Sequence, residues 1–389
     1  MPTTPFEEVI RLSAESGVEK SLDYLDHFFR RNKDFYKLFE VLKMKCRHRL
    51  GLALMYSSQP DDLSDDQQKE LEDGLLDACR EVGTLLIRSG NLQDGWMYLQ
   101  PLADRNLTEK LIESVPVDEN NIDDLIEISV SQGAAPAYGF GLLLRHYGTC
   151  NGITTFDTQV ARFDRPIQKA MAEKLLHHLY QELMSNVRYG LEQTGGKVDE
   201  QATLGEVLEL NPEMLSGGAH HIDTTHLASL MRIARVVSDP KDIRMALDLA
   251  EYGQKLIDDF KYEGSPPFEN TYEDHLIYYR ALLGIEVDAA VSHFEKKAQN
   301  VSTEEYGSVA IETLIEFLVR LGKQDKALEV CIDKLLGKLE PMGLAPSPFE
   351  IAQTERQRVR LMEFYRSQDD LLGFTASLLQ DSSPQHELP

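Results

Sequence analysis

Apolar residues recur every three to four positions along almost the whole chain, the spacing that keeps one face of an α-helix dry. Phe6, Val9, Ile10 and Leu12 open the pattern, Gly17 interrupts it, and Leu22, Leu25, Phe28 and Phe29 form a second stripe. Leu38, Leu42, Cys46 and Leu50 mark a further helix, broken at Pro60 and the acidic run 61–66. Leu71, Leu75, Leu76, Cys79, Val82, Leu85 and Leu86 then predict a long helix that closes at Gly90. Two helices are expected across 122–145, parted by Gly133 and Pro136, and a strong one across 165–191. Between these lies HYGTCNGITTFD (146–157), whose two glycines and four β-branched residues read as a loop inside the helical run. Gly195, Gly196, Lys197 and the polar residues up to Gln201 read as an internal linker. The expected division is therefore 1–194, 195–380 and a disordered tail at 381–389. No alternating apolar–polar pattern persists long enough to build a sheet, so the fold class is all-α.

Three stretches share one rhythm. LLIRSGNLQDGWMYLQPL (85–102), YYRALLGIEVDAAVSHF (278–294) and FLVRLGKQDKALEVCI (317–332) each end an apolar helix in a short Gly-containing turn. Each then opens a second helix with small residues set against bulky ones. Helix, tight turn, Ala-rich helix is the repeat unit of hairpin arrays, where small residues let two helices approach closely. The last two copies resemble tetratricopeptide repeats, and the copy at 85–102 is more degenerate. That resemblance covers about half the chain and implies a helical-hairpin solenoid, curled around a central groove that receives a peptide, partner protein or small molecule. The whole chain also resembles a bacterial family of helical proteins, a likeness that implies no function.

Charge narrows the partners. The 389 residues carry 40 Lys and Arg against 65 Asp and Glu, a formal charge of −25. Nucleic acid as main partner and docking to an anionic membrane are both disfavoured, because each needs a basic surface. The N-terminal residues have acidic side chains and no long apolar run, so they do not read as a secretory signal. Cys46, Cys79, Cys150 and Cys331 are widely spaced without a Cys-x-x-Cys pair, which suits reduced thiols in a cytoplasm. Cys150 reads as buried and inert.

Chemistry-capable residues concentrate in GGAHHIDTTHLASLMRIAR (217–235). Asp223 stands at the N-cap of a helix with His226 three residues on, and His220 and His221 arrive on the preceding loop. Imidazoles and a carboxylate suit zinc or manganese, although the spacing matches no standard metal motif. His275 opens the helix after the Pro-Pro loop KYEGSPPFENT (261–271). In a hairpin array it would face His226 across one repeat, beneath a roof of Tyr262 and Phe268. His178 and Glu182 are i and i+4 on one helix face. The expected metal ligands are His221, His226, His275, His220 and His178, with Asp223 or Glu182 as base. His146 in the expected loop and Arg188 are candidate ligand-binding residues, Arg188 for an anion. No Walker loop, dinucleotide fingerprint, nucleophile elbow or EF-hand occurs.

The function expected from these residues is ligand binding in a groove lined by histidine and carboxylate, with a divalent metal. A metal-dependent hydrolase or lyase, and a plain protein–protein scaffold without metal, are the alternatives.

Overall fold

The structure, a computed structural model, describes residues 4–55, 63–195, 199 and 201–380. The expected disordered tail at 381–389, the break at Pro60, and Gly196 and Lys197 of the expected linker lie outside the described residues. The described residues are all-helical, without a strand, as the periodicity predicts. They form two compact units, 1–174 and 175–389. The division therefore falls inside a continuous helix (Arg165–Gln193), twenty residues before the polar stretch where the composition suggested it.

The first unit holds α1 (Pro5–Arg31), α2 (Phe35–Arg49), α3 (Asp65–Arg88), α4 (Leu92–Leu99), α5 (Arg105–Glu113), α6 (Ile122–Ile126), α7 (Pro136–Gln159) and the start of α8 (Arg165–Gln193). Consecutive helices pack on each other: α1 on α2, α2 on α3, α3 on α4. Phe35, Leu38, Val82 and Leu86 form a core on which Phe29, Phe39, Leu42, Leu85 and Tyr98 close. Segment 146–157 is helix, not loop. It belongs to α7, which Gly148 (φ 78°, ψ −178°) kinks into two helical runs. His146 and Cys150 both sit exposed on that helix, so Cys150 is not the buried thiol expected.

The second unit continues from α8 through α9 (Leu204–Leu210), α10 (Thr224–Ile233), α11 (Pro240–Gln254), α12 (Thr271–Leu282), α13 (Val287–Asn300), α14 (Thr303–Tyr306), α15 (Val309–Arg320), α16 (Gln324–Val330), α17 (Pro348–Ile351), α18 (Glu355–Ser367) and α19 (Leu371–Leu379). Many helix starts are written locally. Thr4, Ser64, Thr203, Ser347 and Thr354 each accept from the third residue of their helix, whose Glu or Gln reaches back to the cap. This reciprocal cap satisfies two otherwise orphaned donors. Helices α11 and α12, α12 and α13, α15 and α16, and α18 and α19 pack pairwise.

The centre of this unit is a block of aromatic rings. Phe268, Tyr278, Phe294 and Phe317 are buried, with Tyr278 stacked on Phe317 at 4.8 Å and Phe294 edge-on to Phe317 at 5.1 Å. Such pairs add about 0.5–1.5 kcal/mol each beyond their buried area. Arg320, from α15, threads this block: its guanidinium donates to the Tyr278 hydroxyl (3.0 Å) and to the backbone carbonyls of Arg235 and Val237. The turn that follows α10 is thereby fixed to α15.

Close helix approach depends on glycine where α11 meets α12. A side-chain carbon on Gly253 would overlap the Tyr272 ring. Alanine normally favours a helix over glycine by about 1 kcal/mol, but here overpacking, typically about 1–3 kcal/mol, opposes it. Gly253→Ala is therefore expected to lower the denaturant midpoint of the full chain, and a midpoint at or above wild type would contradict this packing.

Candidate functional site

The expected candidates separate into three places. Asp223 is the N-cap of α10: its Oδ1 accepts from the Thr225 amide (2.8 Å), the Thr225 hydroxyl (2.6 Å) and the His226 amide (3.3 Å). The Thr225 hydroxyl and these amides hold its carboxyl below the usual range despite partial desolvation. Glu182, Asn186, Tyr189, His220, His221 and Asp223 line one open hollow of about 510 Å³. The buried Tyr252 hydroxyl holds His221, accepting from its backbone amide at 2.8 Å and lying 3.2 Å from the ring Nδ1. Burial, then the neighbouring His220, lowers the His221 pKa. His220 packs its ring on Phe260 at 4.5 Å. Among the described residues, no group of three or more His, Cys, Asp or Glu side chains is arranged to hold a metal ion.

His226 and His275 do not face one another across a shared cavity. Thr225, Ala228, Ser229 and Arg232 give α10 its cavity-lining face. His226 is one residue from Thr225, hence about 100° around the helix, and lies outside that lining. His178 is half-buried on α8 and lines neither this cavity nor the hollow, while its neighbour Glu182 reaches the hollow. Arg188 lines a separate depression with Tyr180, Met184 and Tyr189.

The third place is built around His275. A cavity of about 420 Å³ opens between α10, loop 261–270, α12 and α15. Its walls include Ser229, Arg232 and Arg235 on one side, Tyr262, Pro266 and Phe268 from the loop, and Val309 and Thr313 from α15. The loop holds its shape through Gly264 N–H to Glu269 O (2.9 Å), Phe268 N–H to Ser265 O (2.9 Å) and Thr271 hydroxyl to Tyr262 O (2.7 Å). Phe268, expected as a roof, is instead buried in the aromatic block and forms the cavity's inner wall; Tyr262 stays exposed at its edge.

His275 is 2% exposed and stacks on Phe268 with ring centroids 4.3 Å apart. Its Nδ1–H donates to the Thr271 carbonyl one turn back, which leaves Nε2 as the lone-pair nitrogen of a neutral ring. Nε2 is buried and has no hydrogen-bond partner among the described residues. Burial first, then the positive Arg235, pushes the imidazole pKa down to about 3. Arg235 lies over the same phenyl ring, guanidinium carbon 4.5 Å from its centroid. Among the described residues its side chain makes one hydrogen bond, from Nε to the Arg232 carbonyl (3.1 Å). Desolvation lowers its pKa, yet a guanidinium remains charged at neutral pH. An acceptor-only nitrogen and a donor-only cation thus share one aromatic wall.

Next door, Asp274 is fully buried, hydrogen-bonded to His293 (2.7 Å) and paired with Lys297 (3.0 Å), with the Asn270 backbone amide capping it (3.0 Å). This ion cluster ties α12 to α13, a structural role. Sequence reasoning passed over Arg232 and Arg235. The available signal was the polar series Thr225, Ser229, Arg232, at i, i+4 and i+7 of an otherwise apolar helix.

The His275 environment has a pH signature. As pH falls below 6.5 the unfolded chain protonates this residue while the folded chain holds it neutral down to about 3, so its contribution is present above 6.5 and is lost through that window, at most about 1.4 kcal/mol per pH unit. Asp248, buried beside the Tyr180 hydroxyl (3.0 Å) and pushed up to about 6 by desolvation, acts with the opposite sign over part of the range. The difference between wild type and His275→Gln isolates the histidine. Denaturant unfolding from pH 7 to pH 4.5 is expected to cost wild type about 2–3 kcal/mol more than the variant; parallel curves would contradict the assignment.

Comparison of the chain with protein-family models, with curated proteins and with solved structures finds no match. A functional reading therefore rests on the geometry of these cavities.

Proposed function

We propose that this chain is a ligand-binding protein of tetratricopeptide-like helical hairpins, and that its second unit holds a small molecule in the His275 cavity. The observation that carries the reading is a cavity lined by His275, whose buried Nε2 has no hydrogen-bond partner among the described residues. An unsatisfied buried acceptor costs about 1–3 kcal/mol, a cost that a bound donor removes. A volume of about 420 Å³ falls within the range of small-molecule sites. The hairpin reading is supported by α12 with α13 and α15 with α16, joined at Gly284 (φ 83°) and Gly322 (φ 72°), as the repeat segments predict.

Binding is favoured over proton-transfer catalysis in this cavity. A nitrogen with a pKa near 3 is a weak base at neutral pH. The adjacent Arg235 cation also disfavours a metal on Nε2. A divalent metal has its better location in the hollow, where Glu182, His220, His221 and Asp223 line one surface. That second reading requires side chains to turn inward and Asp223 to leave its cap. If it holds, elemental analysis of purified protein finds stoichiometric zinc or manganese that is lost in His221→Ala; metal-free native protein sinks it. The scaffold alternative predicts a protein partner whose capture ignores both cavities.

The cavity reading is tested with a fragment library screened by ligand-observed NMR against wild type and Ser229→Trp, which fills the space beside Arg232. The expected result is a set of hits on wild type that the variant loses while keeping its circular-dichroism spectrum. Hits that all survive Ser229→Trp would overturn the assignment.

A further inference from the structure

We propose that α19 is a self-association surface, and that its occupant is α19 of a second copy of this chain, packed antiparallel about Thr375. The helix is built inside out. Gly373 and Ser377 are its buried residues, while Leu371, Leu372, Leu378 and Leu379 are 77, 82, 55 and 52% exposed. Three contacts fix this orientation. A side-chain carbon on Gly373 would overlap the Tyr365 ring of α18. Arg366 lies over the Phe374 ring at 4.9 Å, and the Gln380 side-chain amide donates to the Phe349 carbonyl (2.7 Å). Turning the leucines inward would drive a branched side chain into the space that Gly373 leaves for Tyr365. The last helix of a hairpin array ordinarily shows water a polar face; α19 shows it leucine.

The leucine face has a symmetry of its own. At about 100° per residue, all four leucines lie within about 60° of Thr375 around the helix axis. They stand three and four residues to either side of Thr375, so the spacing is the same read in reverse. An antiparallel copy, related by a two-fold axis at Thr375, sets Leu371 against Leu378 of the second copy and Leu372 against its Leu379. That self-match is what an isologous contact requires. The Thr375 hydroxyl donates to the Leu371 carbonyl (2.8 Å), so the centre of the face carries no unmet donor.

Other occupants fit less well. Residues 1–3, 56–62, 196–198, 200 and 381–389, which lie outside the described residues, bring at most one large apolar side chain per segment, too few to cover four leucines. Asp369 and Asp370 beside the first leucines, and a formal charge of −25, oppose an anionic lipid surface. The leucines leave on the order of 400 Å² of apolar surface on one copy, as much as the largest patch of a typical monomer. Two copies bury about 800 Å² through the leucines alone, which suits a weak, reversible dimer rather than an obligate one.

The test is sedimentation velocity of the full chain loaded at about 1 to 300 µM, where a contact of this size is expected to give a monomer–dimer equilibrium. Leu372→Glu combined with Leu379→Glu, both at exposed positions, should weaken the dimer about a hundredfold or more, because each dimer loses four buried leucines. The circular-dichroism spectrum should not change. Disulfide trapping with diamide reads the geometry. Thr375→Cys in a Cys150→Ser background should give a covalent dimer that the background alone does not. Leu371→Cys should not, since it lies about 12 Å along the axis from its equivalent in an antiparallel pair. A monomer at every concentration overturns the proposal, as does a dimer that survives both glutamates. Trapping through Leu371→Cys but not through Thr375→Cys overturns it too. A monomer that binds phosphatidylcholine vesicles, and loses them with the two glutamates, overturns it in favour of a lipid surface.

Discussion

One half-buried guanidinium, that of Arg320, ties the turn after α10 to α15 in the second unit. The last carbonyls of a helix lack intrahelical donors and must find them elsewhere. At the end of α10 the carbonyls of Arg235 and Val237 find them on Arg320, which arrives from α15 through the aromatic block and also holds the Tyr278 hydroxyl. Tyr278 in turn donates to Glu316 (2.9 Å), which places a carboxylate near the cation. Taking a charge out of water is costly, and only such a complete set of acceptors offsets it. What results is a turn whose position is fixed by two helices distant in sequence. Arg235 leaves that turn and is laid against Phe268.

His275 reaches the same ring from the opposite direction in sequence. Loop 261–270 folds on its own backbone and buries Phe268, and α12 starts immediately after it. The first turn of α12 therefore delivers His275 into the block with its Nδ1–H already spent on Thr271. Burial and the Arg235 charge act together to keep the ring neutral. The pairing of a fixed cation with a fixed acceptor follows from the way the chain satisfies its helix ends. No hydrogen bond joins the two groups, although one donates and the other accepts.

Much of the framework was legible in the sequence. Periodicity gave the helices, and the Ser/Thr-x-x-Glu/Gln pattern marks starts such as those of α9 and α18. Asp223 at an N-cap followed from its place before an apolar helix, and the position of His275 near the start of the helix after the Pro-Pro loop was readable too. Segment 146–157 was misread because glycine and β-branched residues signal a loop on average, whereas here a single φ-positive residue, Gly148, kinks α7 and the chain resumes as helix directly after it. The pairing of His226 with His275 failed for a different reason. Sequence spacing places both near helix starts, but one residue turns a helical side chain by about 100°, and it is Thr225 rather than His226 that reaches the cavity. Arg235 was passed over, since nothing local records that Phe268 will lie beneath it.

The central claim is that His275, in the lining of the cavity, keeps an unprotonated Nε2 that has no hydrogen-bond partner among the described residues. Nitrogen-15 NMR of the imidazole, recorded on the full chain between pH 5 and 8, tests it most directly. The account predicts one tautomer throughout, protonated at Nδ1, with no titration in that range and an Nε2 resonance that shifts when a hydrogen-bond donor binds. A proton found on Nε2, or a ring that titrates near the ordinary histidine value of about 6.5, would contradict it.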